Sequence, residues 1–404
     1  MAFGSLEVGI VGCGVAGQAA ASFLAAAGHR VTVMERFRQA GPVGAGLLLQ
    51  PTGLAVLRAL GLEEAALAGG ARIDGLLGLN QYGTTVLDLA YGDLHPAAFG
   101  LGIRRSALFD LLHGRLLTSG ARLLTGLDIV DVERDGPRAL AVDAGGGRHG
   151  PFDLLVVADG AHSHLRDRLM PEAWAPLYPW GCIWATAPDI TGLGAPRLLQ
   201  QRFAGSRQMM GVLPVARDAV TMFWSLPAAA LEQDQPIDLE TVRWQALKLW
   251  PRAAALIERA VDDNAFVRAT YRDVWLPRWN DGPVLFIGDA VHGTSPQLGQ
   301  GANLGLRDAY ALDASLRDAS DLKAALSLFT RRRRPASRFY RQASRLLTPF
   351  FQSDGAALAI LRDLTLRHAC YAPMTGSMMA ATLAGLRRGW LSSDGLDKDG
   401  RFVL

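Results

Sequence analysis

The chain has 404 residues, half of them hydrophobic and 20% charged, a composition that suits two or three globular domains with buried cores and excludes a disordered, fibrous or disulfide-stapled protein. Lys and Arg number 41 against 38 Asp and Glu, a formal charge of +3, too nearly balanced to point to nucleic acid or an acidic membrane through bulk electrostatics. Cys13, Cys182 and Cys370 lie far apart and form no CxxC pair, so neither a metal site nor a disulfide framework is expected, and the cytoplasm is the default compartment.

Residues 8–29 carry no formal charge. No basic segment precedes them, and Gly12, Gly14 and Gly17 interrupt the run, so neither a signal peptide nor a membrane span is expected. Residues 6–11 read as a continuously apolar strand, 15–27 as an Ala-rich helix ended by Gly28, and 30–34 as a second, β-branched strand, together a βαβ unit. Gly12-Cys13-Gly14-Val15-Ala16-Gly17 fits GxGxxG between strand and helix. The first glycine permits a tight turn, the second lets backbone approach a pyrophosphate, and the third lets helix and strand pack closely. Glu35, at the tip of the second strand, stands where an acidic residue accepts ribose hydroxyls. An acid there favours an adenosine ribose without a 2′-phosphate, as in FAD or NAD, with Arg36 alongside in solvent or on the adenine.

Residues 73–100 and 181–226 differ in texture from this unit. In the second stretch, short apolar and aromatic runs around Cys182, Met209 and Phe223 are split by Pro188, Gly192, Gly194 and Gly205. They predict antiparallel strands of a separate sheet, assembled from two insertions. Two further apolar strands, 154–158 and 284–287, end at Asp159-Gly160 and Gly288-Asp289. After the second comes a loop through His292, Pro296, Gly299, Gln300, Gly301 and Ala302 to a helix beginning near Asn303. Asp289 could accept hydrogen bonds from a sugar or ribityl chain, and the loop offers unhindered N–H groups at a helix start, suited to an anionic ring edge. From Ala302 onward the chain reads as mainly helical.

In order and spacing these motifs resemble the three fingerprints of the class A flavoprotein aromatic hydroxylases, the p-hydroxybenzoate hydroxylase-like single-component monooxygenases. The match covers about residues 6 to 335 and includes Gly44-Ala45-Gly46, Arg105-Ser-Ala-Leu108, Asp159-Gly160, the long loop, Asp308, and Arg331 to Pro335. The resemblance implies an α/β fold: a Rossmann-like FAD-binding domain (1–72, 101–175, 268–335) interleaved with a smaller mixed-sheet substrate domain (73–100, 176–267) and followed by C-terminal helices (336–404). It implies that Gly12, Gly14, Gly17 and Glu35 hold the ADP half of FAD, that Val15, Ala16 and Gly46 belong to the cofactor site, and that Arg105 reaches the phosphates. Asp159 and Gly160 serve FAD and NADH or NADPH alike, Gly288 and Asp289 the ribityl chain, and residues from Pro296 to Asn303 the isoalloxazine. The implied reaction is hydroxylation of an aromatic or conjugated apolar small molecule with O2 through a flavin hydroperoxide. Epoxidation or oxidative decarboxylation by the same route is the alternative, and a reductase is a remoter one. A halogenase needs a lysine early in the chain, and no lysine precedes Lys248.

Several residues carry two readings. His292 is a weak candidate general base against a role in shaping the loop. Met209, Met210, Phe223 and Trp224, with Gln201 and Pro296, are candidate substrate contacts against core packing. Arg331 to Arg334 before Pro335 read as a helix end whose arginines meet carbonyls and acids rather than nucleic acid. Residues 369–386 are uncharged but broken by Pro373, Gly376 and Gly385, a poor span. They suit an active-site cap, a homodimer contact or peripheral contact with a membrane.

Overall fold

A computed structural model describes residues 4–41, 45–232 and 236–404; Gly44 lies outside the described residues. Its first sheet has six strands in the order Asn280–Asp281, Val284–Phe286, Leu154–Val157, Glu7–Val11, Arg30–Glu35 and Arg122–Thr125. All pair in parallel except the antiparallel Asn280–Asp281 edge. Val8, Ile10, Val33, Val156 and Phe286 are fully buried, which accounts for strands that read as unbroken apolar runs. The helices Val15–Ala26, Arg105–Leu117 and Gly301–Asp318 form one layer of this unit. On the sheet's other side lies a three-stranded antiparallel sheet of Ile129–Asp135, Arg138–Asp143 and Arg148–Phe152. There the Phe152 ring lies 2.6 Å from where a Cβ on Gly9 would sit.

Two glycines of the first turn are demanded by packing. Gly12 has φ +100°, and a Cβ on it would lie 2.6 Å from the Ala158 carbonyl; a Cβ on Gly17 would lie 2.1 Å from the Gly12 carbonyl. Helix, turn and the neighbouring strand are therefore in backbone contact.

The second sheet has seven strands: Val267–Ala269, Trp180–Pro188, Ala219–Pro227, Gln208–Ala216, Leu198–Ala204, Gly75–Asn80 and Thr85–Ala90. The two insertions meet where Leu198 pairs with Gly75, in parallel. The flanks of the first insertion depart from the expectation. Gly100–Arg104 pairs with Ala71–Ile73 on one side and Gly46–Leu49 on the other in a separate three-stranded sheet. That sheet stacks face-on against the larger one: a Cβ on Gly102 would lie 1.8 Å from the Pro214 carbonyl, and one on Gly46 would lie 2.5 Å from Thr221 Oγ1. The expected boundary at 268 also falls inside a strand, because Val267–Ala269 pairs with Cys182 to Trp184 of the larger sheet.

The larger sheet is buried on both faces. Cys182, Phe203, Met209, Leu213 and Phe223 pack inward with Leu48, Tyr91, Phe351 and Leu383. Ile183, Met210, Met222 and Trp224 pack outward with Val242, Trp250 and Leu256 of the helices Leu239–Leu249 and Ala254–Asp262 and the turn between them. Side chains alternate across a strand, so neighbours such as Met209 and Met210 enter different cores.

Arg331 to Pro335 do not end a helix. They lie inside Leu322–Phe351, a helix of 30 residues containing Pro335 and Pro349. The arginines do meet acids and carbonyls: Arg332 reaches Asp318, Arg333 reaches Asp308 and the Leu304 carbonyl, and Arg334 reaches the Pro277 carbonyl. Tertiary bonds on both sides of the proline outweigh its local cost of about 3 kcal/mol. Among the described residues no helix is long and apolar enough to cross a membrane, and no cluster of His, Cys, Asp or Glu could hold a metal ion.

Gly17→Ala is expected to destabilise the protein by about 1–3 kcal/mol through the overpacked contact with Gly12, read as a lower urea midpoint. An unchanged midpoint would refute the close-packing account.

Candidate functional site

The three sequence fingerprints meet at the carboxyl ends of three adjacent strands. Gly12 and Ala16 tie them together: a Cβ on Gly12 would lie 3.0 Å from Asp159 Cα, and the Ala16 methyl lies 3.0 Å from a Cβ position on Gly288 and 3.2 Å from one on Gly305. The N-termini of Val15–Ala26 and Gly301–Asp318 therefore open at the same place. Neither has a side-chain cap: Gly14 and Gln300 stand at the cap positions and no side chain bonds to the first-turn N–H groups. Two sets of free backbone donors and two positive helix ends form a ready anion site.

A Cβ on Gly14 would meet no protein atom within 4 Å, unlike those on Gly12 and Gly17, so nothing in the protein itself demands glycine there. The Glu35 carboxylate accepts from Cys13 N–H at 2.8 Å and Phe37 N–H at 3.0 Å, bridging the turn to the strand tip. Burial and the neighbouring Glu35 push the Cys13 thiol up to about 12, so it is an inert filler rather than a nucleophile. Arg36 is exposed and its guanidinium lies 4.6 Å from the centre of the Phe37 ring. Asp289 is exposed at the junction, its carboxylate 3.6 Å from a Cβ position on Gly301. Asp159 accepts from Ser163 Oγ at 2.8 Å through one oxygen, while the other is buried without a partner; burial pushes its carboxyl up to about 6.

These residues fit a dinucleotide: free N–H groups for phosphates, carboxylates beside them for hydroxyls, and an open space over Gly14. The loop side chains do other work. Asn303 accepts from Gln50 N–H at 2.8 Å and donates to the Leu48 and Gly299 carbonyls. Gln300 donates to the Leu383 carbonyl at 2.9 Å. The loop's backbone, carried through Gly299 at φ +62°, is left to face a ligand. Gly46 is accounted for by the sheet contact described above, which leaves its place in the cofactor set without separate support.

Beneath the loop, Asp308 is fully buried and accepts three hydrogen bonds: from Gly288 N–H at 2.9 Å, His292 Nε2 at 2.6 Å and Arg333 Nε at 2.7 Å. His292 is almost fully buried, with its ring 5.8 Å from that of Trp279. It is a positioning residue, and the general-base reading is set aside.

The inward face of the seven-stranded sheet forms an aromatic wall. Met209 and Phe223 lie on it, with Trp184 packed on Phe223 at 4.9 Å; Gln201 shares the face of Phe203, two residues on. Met210 and Trp224 are corrected by strand parity: they lie in the outer core. Trp224 instead borders a cavity of about 820 Å³ between the sheet end and the helix Leu239–Leu249, which no fingerprint residue lines. Missed in the sequence is a polar knot on the inner wall, where Cys182 Sγ and Tyr271 OH lie 2.7 Å apart. Burial raises both groups, the thiol to about 12, and the positive charge of Arg105 acts on both in the opposite direction. Tyr271 sits alone in a polar stretch without periodicity, and Cys182 belongs to no motif, so no pattern marked them.

Burial alone would raise the Asp308 carboxyl, but His292 and Arg333 hold it down at about 2. Its folded value lies below the ordinary 3.8, so its contribution to stability is complete above about pH 4 and is lost as pH falls toward 2. Asp308→Asn is expected to cost about 3–5 kcal/mol near neutral pH by leaving the buried Arg333 guanidinium without its counter-charge and to flatten the acid limb of a stability-versus-pH curve. An acid limb identical to that of the unaltered protein would contradict this.

A family model described as "FAD binding domain" matches residues 5–343. Aurachin C monooxygenase/isomerase of Stigmatella aurantiaca is 29% identical over 327 residues, 80% of this chain and 84% of that one. Phenazine 1,6-dicarboxylic acid hydroxylase of Lysobacter antibioticus is 30% identical over 366 residues, 84% and 89% of the two chains. Among solved structures, Klebsiella pneumoniae HpxO complexed with FAD and uric acid superposes with a TM-score of 0.79 at 20% identity, covering 94% of this chain and 97% of that one.

Proposed function

The chain belongs to the FAD binding domain family and is an FAD-dependent monooxygenase of the p-hydroxybenzoate hydroxylase-like class, and we propose that it uses NADH or NADPH and O2 to hydroxylate an apolar aromatic or heteroaromatic small molecule. The observation that carries this reading is the convergence of two uncapped helix N-termini with Glu35 and Asp289 at the strand ends; the wall of Trp184, Phe223 and Tyr271 on the inward face of the larger sheet is the candidate substrate side. When bound, FAD supplies electron transfer and oxygen activation.

Each protein group then has a distinct task. The N–H groups from Gly14 to Gly17 take the pyrophosphate, and Glu35 takes the adenosine ribose. Arg105 adds positive charge beside the phosphates, and Asp289 accepts from the ribityl hydroxyls. The backbone from Gly299 to Asn303, at the positive end of a helix, stabilises negative charge that develops at the pyrimidine edge. Asp308, His292 and Arg333 hold that loop in register. The Trp184–Phe223 wall takes the aromatic substrate and excludes water, and Tyr271 hydrogen-bonds a polar substituent on it.

For the coenzyme, the Asp159-Gly160 turn carries a cationic rim. Arg272 Nε donates to His162 Nδ1 at 3.1 Å, and Arg36 and Arg166 add charge. Burial and then these cations lower the basicity of His162. An anionic dinucleotide approaching from this side meets complementary charge without a second Rossmann unit.

The purified protein is expected to be yellow, and a screen of phenols and heteroaromatics is expected to reveal compounds that accelerate NADH or NADPH oxidation with matching O2 uptake. Flavin-loaded protein that oxidises neither coenzyme under any ligand would defeat the reading. Asp289→Ala is expected to weaken FAD binding at least tenfold in a fluorescence titration; unchanged affinity would remove the ribityl assignment. Tyr271→Phe is expected to raise the KM of a stimulating aromatic more than it lowers kcat. Equal effects on both would place Tyr271 outside the substrate contact.

A further inference from the structure

The helix Ala356–Tyr371 buries a charged side chain and exposes several large apolar ones. Its Arg362 is fully buried and donates to the Gly205 carbonyl at 3.0 Å, the Phe350 carbonyl at 2.9 Å and Asp363 at 2.8 Å, with the guanidinium 4.8 Å from the Phe203 ring. Asp363 in turn accepts from Asn80 Nδ2 at 3.0 Å. Ala359, Leu366 and Cys370 face the core, but larger apolar residues face solvent: Ile360 is 62% exposed and Leu364 65%, with Leu361 beside them, and Met374, 85% exposed, continues on the next helix, Pro373–Leu383. A surface helix ordinarily points its apolar stripe at the core and its charges at water; here an arginine takes a core position and a second apolar stripe is left in solvent. Such a face signals a covering partner.

Charge and size select the partner. The exposed ionisable side chains of the two helices, apart from the Tyr371 phenol, are Arg367 and His368, and no exposed carboxylate lies on either. The carboxylates at the margins are engaged: Tyr371 OH donates to Asp88 at 2.6 Å, and Arg207 pairs with Asp354 at 3.0 Å. A second copy on a two-fold axis would set Arg367, on a face without exposed carboxylates, against itself. A handful of large apolar side chains is also far short of the ~20–30 residues a side of a stable protein interface. An interfacial helix needs only an apolar face to enter the headgroup boundary by ~5–10 Å, with cations drawn to anionic headgroups. We infer that this face docks the protein on an anionic phospholipid surface. The Pro373–Leu383 helix also accepts from Gln300 of the flavin loop through the Leu383 carbonyl, so docking seats the site one helix away from the lipid. The inference stands on this surface alone and does not rest on the reading of the active site.

The test is sedimentation of the FAD-loaded full chain with phosphatidylcholine vesicles, with and without phosphatidylglycerol. The protein is expected to pellet with the anionic vesicles and to be released in part by salt. The Ile360→Glu/Leu364→Glu double variant, altered only at exposed positions and checked for flavin content and circular dichroism, is expected to bind at least tenfold less. Arg367→Glu should lose the preference for anionic lipid, while Trp244→Glu, at an exposed position on the helix Leu239–Leu249, should bind as before. Failure of the unaltered protein to pellet with any vesicle would overturn the inference, as would undiminished binding of the double variant. So would a dimer in light scattering that the double variant splits, since that result assigns the face to a second copy.

Discussion

The site depends on one buried carboxylate. Asp308 accepts from Gly288 N–H, His292 and Arg333, and these groups come from a strand end, the short turn of helix after it and the long C-terminal helix. A buried charge with three donors is stable only while all three stay in place, and removing any one leaves an unpaired group in a dry interior. This constraint fixes where Asp289 stands, how the loop to Asn303 leaves the strand, and where the helix beginning at Gly301 points. The arginine run that looks like surface charge in the sequence supplies one of the donors.

Around that anchor the chemistry is divided between backbone and side chains. In the proposed reading, free N–H groups at two helix starts, with carboxylates beside them, serve the cofactor, and an aromatic wall with a hydroxyl–thiol knot serves the substrate. Few side chains are poised for acid–base work: His292 is locked, Cys13 is held by burial as a thiol, and Asp159 is protonated more readily than an ordinary carboxyl. That suits a flavoprotein monooxygenase, in which the cofactor carries the difficult step and the protein positions, shields and polarises.

Legibility in the sequence followed the physics of each element. Gly12, Gly17 and the two glycine–aspartate strand ends could be read because a positive φ or a carbonyl within van der Waals distance admits only glycine, a constraint local enough to show in one chain. The two-insertion sheet was readable from its turn residues. The assignment of Met210 and Trp224 to the substrate wall failed because the sheet is buried on both faces: with apolar residues at consecutive positions, period 2 leaves no mark of which side faces the site. Pro335 misled for the converse reason, since a local helix-breaking preference was outweighed by ion pairs to residues far away in the chain. Tyr271 was invisible because its importance comes from Cys182, a neighbour remote in sequence.

The central claim is that FAD binds with its phosphates at the two helix N-termini and its ring toward the aromatic wall. A crystal structure of the FAD-loaded protein tests it most directly. The account predicts the pyrophosphate on the N–H groups between Gly14 and Gly17, the ribityl chain against Asp289, and the isoalloxazine between the Gly299–Asn303 backbone and the wall of Trp184 and Phe223. A flavin bound elsewhere, in the cavity beside Trp224 for example, or one that leaves Asp289 untouched, would contradict it.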